Sequence, residues 1–361
     1  MTALVLALLA ALTPSQWSLD RDPWKVLFQI RPGDATIFEA LPEEPERPAV
    51  DPRRGAVYVG GRGGALRCLD WTTGAERWRH DSKGAIRITP LVAGDRVYAG
   101  NADGLFWALD AGSGALAWEA RVGDAVTGSP VLVGQRVLFT DARGSVQAYD
   151  VTTGQRQWRQ RREVAQRFTV RAKGTLVVQG SEVTAGFPDG HLVTFDAASG
   201  EVVRDVDLSA GARDLADVDS APLLVGDLLV AASYSGGLWG LEAATGAQRW
   251  HVEGAAFSFP TLHQGRLLVV KDGTKLLQVN PADGALTPVA ELRRGSVHDV
   301  ASLGGDLWLT DGRSLLQLDE KAPDGSLRVA FFFGVSAAPA GAGTRLYIVS
   351  DSGYVYGLEK L

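Results

Sequence analysis

The sequence predicts an all-β fold: an eight-bladed β-propeller of four-stranded antiparallel blades, its ring closed by an N-terminal strand. Three observations predict it. The chain aligns with itself at a period of about 40 residues, the repeat length of propeller blades. Glycine supplies 43 of 361 residues and is spread along the chain, which requires many tight turns and hence many short strands. An acidic or amide residue ending the third strand of each unit recurs as Asp70, Asp110, Asp150, Asp196, Glu242, Asn280, Asp319 and Glu359, which makes eight copies.

From the N-terminus, the apolar run Leu4 to Leu12 is too short to span a bilayer, which takes about 20 apolar residues. It fits the h-region of a secretory signal, although no Lys or Arg precedes it. Residues 1–15 are read as this leader and 16–361 as a single propeller. No cysteine follows the run where a processed N-terminus could be lipidated. The eighth copy stops after its third strand, and "DPWKVLFQI", Asp22 to Ile30, is expected to supply the missing fourth from Trp24 to Ile30, protecting an otherwise open edge. Leu41 to Arg47 reads as a surface connection into the first blade.

The clearest units are Thr89–Trp118, Ser129–Trp158 and Ala221–Trp250. In the first, Pro90-Leu91-Val92 is strand A and Arg96 to Gly100 strand B. Ala102-Asp103-Gly104 is a hairpin, Phe106 to Leu109 strand C, and Ser113-Gly114 the turn into strand D with Trp118. The ending Asp-x-x-Thr/Ser-Gly-x-x-x-Trp appears at Asp70–Trp78, Asp110–Trp118 and Asp150–Trp158. The carboxylate is expected to cap the turn and the indole to pack between blades, because the same residue recurs around the ring.

Composition narrows the function. A net charge of −6 opposes nucleic-acid binding, which carries a basic footprint. The single cysteine, Cys68, excludes an internal disulfide and a cysteine-based zinc cluster, and reads as a small buried residue. His80, His191, His251, His263 and His298 lack metal-motif spacing; His191, His251 and His263 are read as surface or edge residues. No catalytic residue, cofactor or metal is expected.

Spacing marks one sector of the ring. From the strand-D Trp position to the next strand-A Pro position is 12 residues at Trp78–Pro90 and at Trp118–Pro130. It is 18 from Trp158 to Leu176, 18 from Arg204 (in the Trp position) to Pro222, and 10 from Trp250 to Pro260. Two consecutive D-to-A connections are therefore lengthened, and they must be neighbours on one face. Long loops on a rigid scaffold are where recognition usually resides. The first region is basic, with Arg156, Arg159, Arg161, Arg162, Arg167, Arg171 and Lys173 against Glu163. The second is acidic, with Asp205, Asp207, Asp214, Asp217 and Asp219 beside Arg204 and Arg213. Pairing between the two accounts for much of that charge. It does not account for Phe168 and Val170, apolar residues in a loop expected to be exposed; an apolar centre ringed by charge, with an arginine anchor, has the anatomy of a protein interface.

The repeats resemble the PQQ-type propeller repeat over nearly the whole chain after the leader. Quinoprotein dehydrogenases share that repeat, but they need a metal cage and usually a vicinal disulfide that one cysteine cannot form. Arg213–Trp250, opening "RDLADVDSAPLL", and Arg167–Leu176, "RFTVRAKGTL", are similar to two loops of the BamB family of outer-membrane assembly factors. The resemblance implies a non-enzymatic scaffold in the periplasm, held at the outer membrane through its partners. It implies docking of a POTRA domain of BamA through Phe168 and Val170 (for two leucines), Arg171, Asp217 and Asp219. Other assembly-machinery subunits, and nascent outer-membrane proteins at exposed strand edges, are further implied partners. The alternative is a ligand-binding or sensor propeller of the same repeat, with a quinoprotein dehydrogenase third.

Overall fold

In the computed structural model the structure describes residues 23–31, 46–162, 175–211, 218, 221–291, 296–319, 327–330 and 334–361. These form eight four-stranded antiparallel sheets, each running A-B-C-D from the axis outward. In blade 2 the strands are Leu91–Ala93, Arg96–Gly100, Leu105–Asp110 and Leu116–Arg121. Strand A starts one residue later than expected, after Pro90, which has no N–H to give to a ladder. Strands A of neighbouring blades touch around the axis, including that of blade 8 (Ala340–Ala342) against that of blade 1 (Ala49–Asp51), so the ring is closed.

The closing strand is the expected one. Trp24–Ile30 pairs antiparallel with Val355–Lys360 as strand D of blade 8. Both flanks of this blade are stapled. Lys360 Nζ lies 2.6 Å from Asp306 of blade 7, and Arg345 stacks its guanidinium 4.5 Å from the Trp71 ring of blade 1. Seating Trp24–Ile30 here also makes Phe28 to Pro48 a D-to-A connection of 20 residues. It is a third long connection, which the spacing count inside the ring omitted, and it stands across the ring from the other two.

The indoles pack between blades as expected. Trp78, Trp118, Trp158 and Trp250 each donate Nε1–H to a carbonyl of the next blade: Ala111 (3.1 Å), Val151 (2.9 Å), Ala197 (3.0 Å) and Pro281 (2.9 Å). Each lies against the turn glycine of that blade; a Cβ on Gly154 would fall 2.6 Å from the Trp118 ring. In blade 8 the position is taken by Phe28 over Gly74 rather than by Trp24, which packs edge-on to Trp308 of blade 7. In blade 4 Arg204 takes it and donates to Ala244 O at 2.9 Å. The residue opposite on strand C is small wherever the anchor is aromatic: Cys68, Ala108, Ala148, Gly240 and Gly357. Cys68 is thus the small partner of Trp78; burial pushes its thiol up to about 11, which keeps it protonated and inert.

The turn carboxylates also cap as expected. Asp70 Oδ1 accepts from the backbone N–H of Thr72 and Thr73 and from the Thr73 hydroxyl; Asp110, Asp150 and Asp196 repeat the arrangement. The Arg77 guanidinium, with these donors, holds the Asp70 carboxyl well below the usual range. Glu242, one methylene longer, turns instead to Arg249.

Candidate partner-binding site

The chain lays the same foundation under the D-to-A connections of blades 1 and 2. In blade 1 the connection leaves strand D at Ser82, whose N–H bonds Gly64 O (2.7 Å), and returns at Ile86, whose N–H bonds Gly61 O (3.1 Å). In blade 2 the two feet are Val122 on Gly104 O (3.0 Å) and Val126 on Asn101 O (3.1 Å). Both carbonyls belong to the B–C hairpin of the same blade, and the returning residue is a buried aliphatic.

Blade 4 keeps this foundation under its lengthened connection. Leu208 N–H bonds Gly190 O (2.8 Å) and Val218 N–H bonds Phe187 O (3.2 Å). Val218 is buried and packs against Gly186, as Val126 packs against Gly100. Between the feet lie 123–125 in blade 2 but 209–217 in blade 4, so the six additional residues (18 against 12) all fall between two retained anchors. The valine of Asp217-Val218-Asp219 is therefore the plug that Ile86, Val126 and Val297 form in blades 1, 2 and 6. Beyond Leu208, Asp207 accepts from Ser209 N–H (2.8 Å); the Ser209 side chain, together with that N–H, holds its carboxyl below the usual range, and Ala210 takes a left-handed φ of 51°. On the other side Gly236 of blade 5 approaches so closely that a Cβ there would lie 1.9 Å from Leu208 O.

The other long connection starts at Arg162, in the position of Ser82, Val122 and Leu208. Its guanidinium reaches into the blade 4 hairpin: Nε to Asp189 Oδ2 at 2.5 Å, a terminal nitrogen to Asp205 Oδ2 at 2.6 Å, and its carbon 5.9 Å from the Phe187 ring centre. His191 Nδ1 lies 2.6 Å from the second Asp205 oxygen. Burial opposes ionisation of Asp205, but the Arg162 and His191 bonds outweigh it and hold the carboxyl below its usual range. The hairpin Phe187-Pro188-Asp189-Gly190 thus carries three feet: Asp189 for the first connection, Gly190 and Phe187 for the second.

The sequence-derived contact residues Phe168, Val170, Arg171, Asp217 and Asp219 lie outside the described residues; the structure supplies the feet beneath them. The expected pairing of basic and acidic stretches is realised at Arg162–Asp205, whereas Arg159 pairs within its own blade with Asp141 (3.0 Å). Sequence reasoning overlooked Arg162 as a bridging residue, although a charge where other connections carry Ser82, Val122 and Leu208 was a visible signal.

One histidine expectation needs correction. His263 is buried at the end of strand A, its Nδ1 2.9 Å from Ser302 Oγ of blade 7, in the register position that buried Val133 holds in blade 3. His251 is half-buried on strand D, the outer edge of blade 5, and stacked on Trp239 with 3.7 Å between ring centres. Among the described residues no group of three His, Cys, Asp or Glu side chains is placed to hold a metal.

The fold and the repeated Trp-to-carbonyl anchors define the chain as a PQQ-repeat propeller. The PQQ_2 profile, described as outer membrane protein assembly factor BamB, matches residues 20–125 and 106–287, and the chain belongs to that family. Two curated relatives, both described as outer membrane protein assembly factor BamB, are similar to it. The one from Legionella pneumophila is 23% identical over 196 residues (52% of this chain, 51% of the relative). The one from Alkalilimnicola ehrlichii is 28% identical over 201 residues (53% and 52%). The chain thus spans about half the length of the curated relatives it matches. In structure it resembles BamB from Moraxella catarrhalis, with a TM-score of 0.77 and 18% identity over 93% of this chain and 99% of that one. A quinohemoprotein alcohol dehydrogenase from Pseudomonas putida shares the fold at a TM-score of 0.68 and 15% identity, over 94% and 76%.

Proposed function

We propose that this propeller is a non-enzymatic assembly factor for outer-membrane β-barrel proteins, acting on the periplasmic side by gripping a POTRA domain of a BamA-like partner. The grip uses the two lengthened connections between blades 3, 4 and 5. Phe168 and Val170 supply an apolar centre, Arg171 an anchor, and Asp217 and Asp219 an acidic counterpart. The observation that carries the reading is the hairpin at 187–190, to which Arg162, Leu208 and Val218 bond the feet of both lengthened connections. Family membership supports the partner class.

Receipt of substrate strands at the outer edges is disfavoured by the edges themselves. Seven of the eight strand D ladders carry a bulge, a device that turns edges away from further pairing.

The test is binding of the purified chain to the POTRA region of a BamA-like protein, with Arg171→Glu and with Asp217→Arg plus Asp219→Arg. Wild type should bind, and each reversal should weaken binding by roughly 30-fold, the loss of one central anchor. Absence of wild-type binding removes the assembly reading. Binding unchanged by either reversal removes the site assignment alone.

A further inference from the structure

We propose that Arg162 is the positioning residue that sets the two long connections in register, so that they meet the partner as one surface; this rests on the binding reading above. In blades 1, 2 and 4 the departing foot is held by its backbone, at 2.7 Å for Ser82, 3.0 Å for Val122 and 2.8 Å for Leu208. At Arg162 the corresponding bond to Gly144 O is 3.5 Å. The Arg162 side chain adds two short charged bonds to the first connection, and both run to blade 4.

The fork of a guanidinium suits this task. It bonds Asp189 on the hairpin and Asp205 on strand D of blade 4 together, which a single ammonium does with far poorer geometry. Asp205 lies three residues before Leu208, where the second connection departs. Phe187, under the guanidinium, offers its carbonyl to Val218, where that connection returns. One side chain from the first connection is thereby joined to both ends of the second. Its removal breaks those ties and leaves the Asp189 and Asp205 carboxylates without the cation between them.

The experiment uses the full chain as wild type, Arg162→Ala and Arg162→Lys. It measures the dissociation constant for the POTRA region, the melting temperature, and amide exchange at residues 208–218 without partner. Arg162→Ala should weaken binding on the order of tenfold, the loss of one arm of a charged pair. It should also speed exchange in 208–218, a segment of the other connection, and move the melting temperature little. Arg162→Lys should recover only a minor part of both effects. The proposal is overturned if exchange in 208–218 stays at the wild-type rate, or if Arg162→Ala binds as wild type does. It is also overturned if lysine restores everything, since charge alone would then suffice. Should wild type itself not bind, the assembly reading fails, while the exchange arm still decides whether Arg162 couples the loops.

Discussion

Truncating one inter-blade indole tests the physical basis of the ring. Trp118→Ala removes a side chain left only 7% exposed, its face against Gly154 of blade 3 and its Nε1–H bonded to Val151 O. The cavity lies between two separately hydrogen-bonded sheets, neither of which can collapse into it without breaking its own ladder. The loss should therefore fall at about 3–5 kcal/mol, the usual range for a buried aromatic replaced by alanine. The carbonyl of Val151 also loses its donor, which pushes the value toward the upper end. With an unfolding entropy of about 2.1 cal/mol/K per residue, a chain of 361 residues loses roughly 1.3 °C per kcal/mol, so a fall of about 4–7 °C is expected. Thermal unfolding followed by circular dichroism measures it. Arg204→Ala, at the same position of blade 4, is the internal comparison: it deletes a partly exposed ion pair with Glu182 and one hydrogen bond, for about 1–2 kcal/mol. A Trp118→Ala loss no larger than that of Arg204→Ala would refute the view that indole packing, rather than the shared hydrogen bond, joins the blades.

Two further outcomes follow from the loop foundation. Asp205 has a folded pKa depressed by Arg162 and His191, so its contribution to stability is complete above the unfolded value near 4 and is lost as pH falls through the lower folded value. The melting-temperature difference between wild type and Asp205→Asn should still be present at about pH 5 and shrink below about pH 4; a difference already gone at about pH 5 would contradict the assignment. Gly236→Ala places a methyl 1.9 Å from the backbone oxygen of Leu208, where no flexible side chain can yield. It should cost about 1–3 kcal/mol and loosen the Leu208 foot in amide exchange, whereas Gly63→Ala, which meets nothing within 4 Å, should be neutral.

The blades were legible because each repeat writes its own turns. Asp110, Ser113 and Gly114 specify the C–D turn, and Trp118 the contact with the next blade, all within nine residues. The closing strand was legible because an unfinished last repeat and a stray apolar strand at the other end of the chain complete one another. What the sequence hid was which local features are general. Val218 looked like part of a recognition motif, yet Ile86 and Val126 stand four residues before Pro90 and Pro130 as Val218 does before Pro222. Arg162 looked like one arginine among six, because its partners Asp189 and Asp205 come from another blade, 27 and 43 residues on. His263 looked like an edge residue because its partner, Ser302, comes from the next blade, 39 residues on.

The location of the insertion explains how such a site can arise on a ring without weakening it. Lengthening a loop from three to nine residues between fixed ends costs about (3/2)RT ln 3, near 1 kcal/mol. The bonds at Leu208 and Val218 and the burial of Val218 keep those ends fixed, so the expense stays in the loop and does not reach the core. A propeller tolerates this at any D-to-A connection, and the connection from Phe28 to Pro48 is longer still. Length alone therefore does not make a binding site. Neighbouring connections share a hairpin elsewhere too, as where Ala85 O accepts from Ala102 N–H of blade 2 and Ala125 O from Ala142 N–H of blade 3. Those flanking blade 4 differ in the charged fork that Arg162 adds to the shared hairpin. Two loops that would otherwise sample their positions independently are tied at their feet before a partner arrives, which lowers the ordering entropy that binding must overcome.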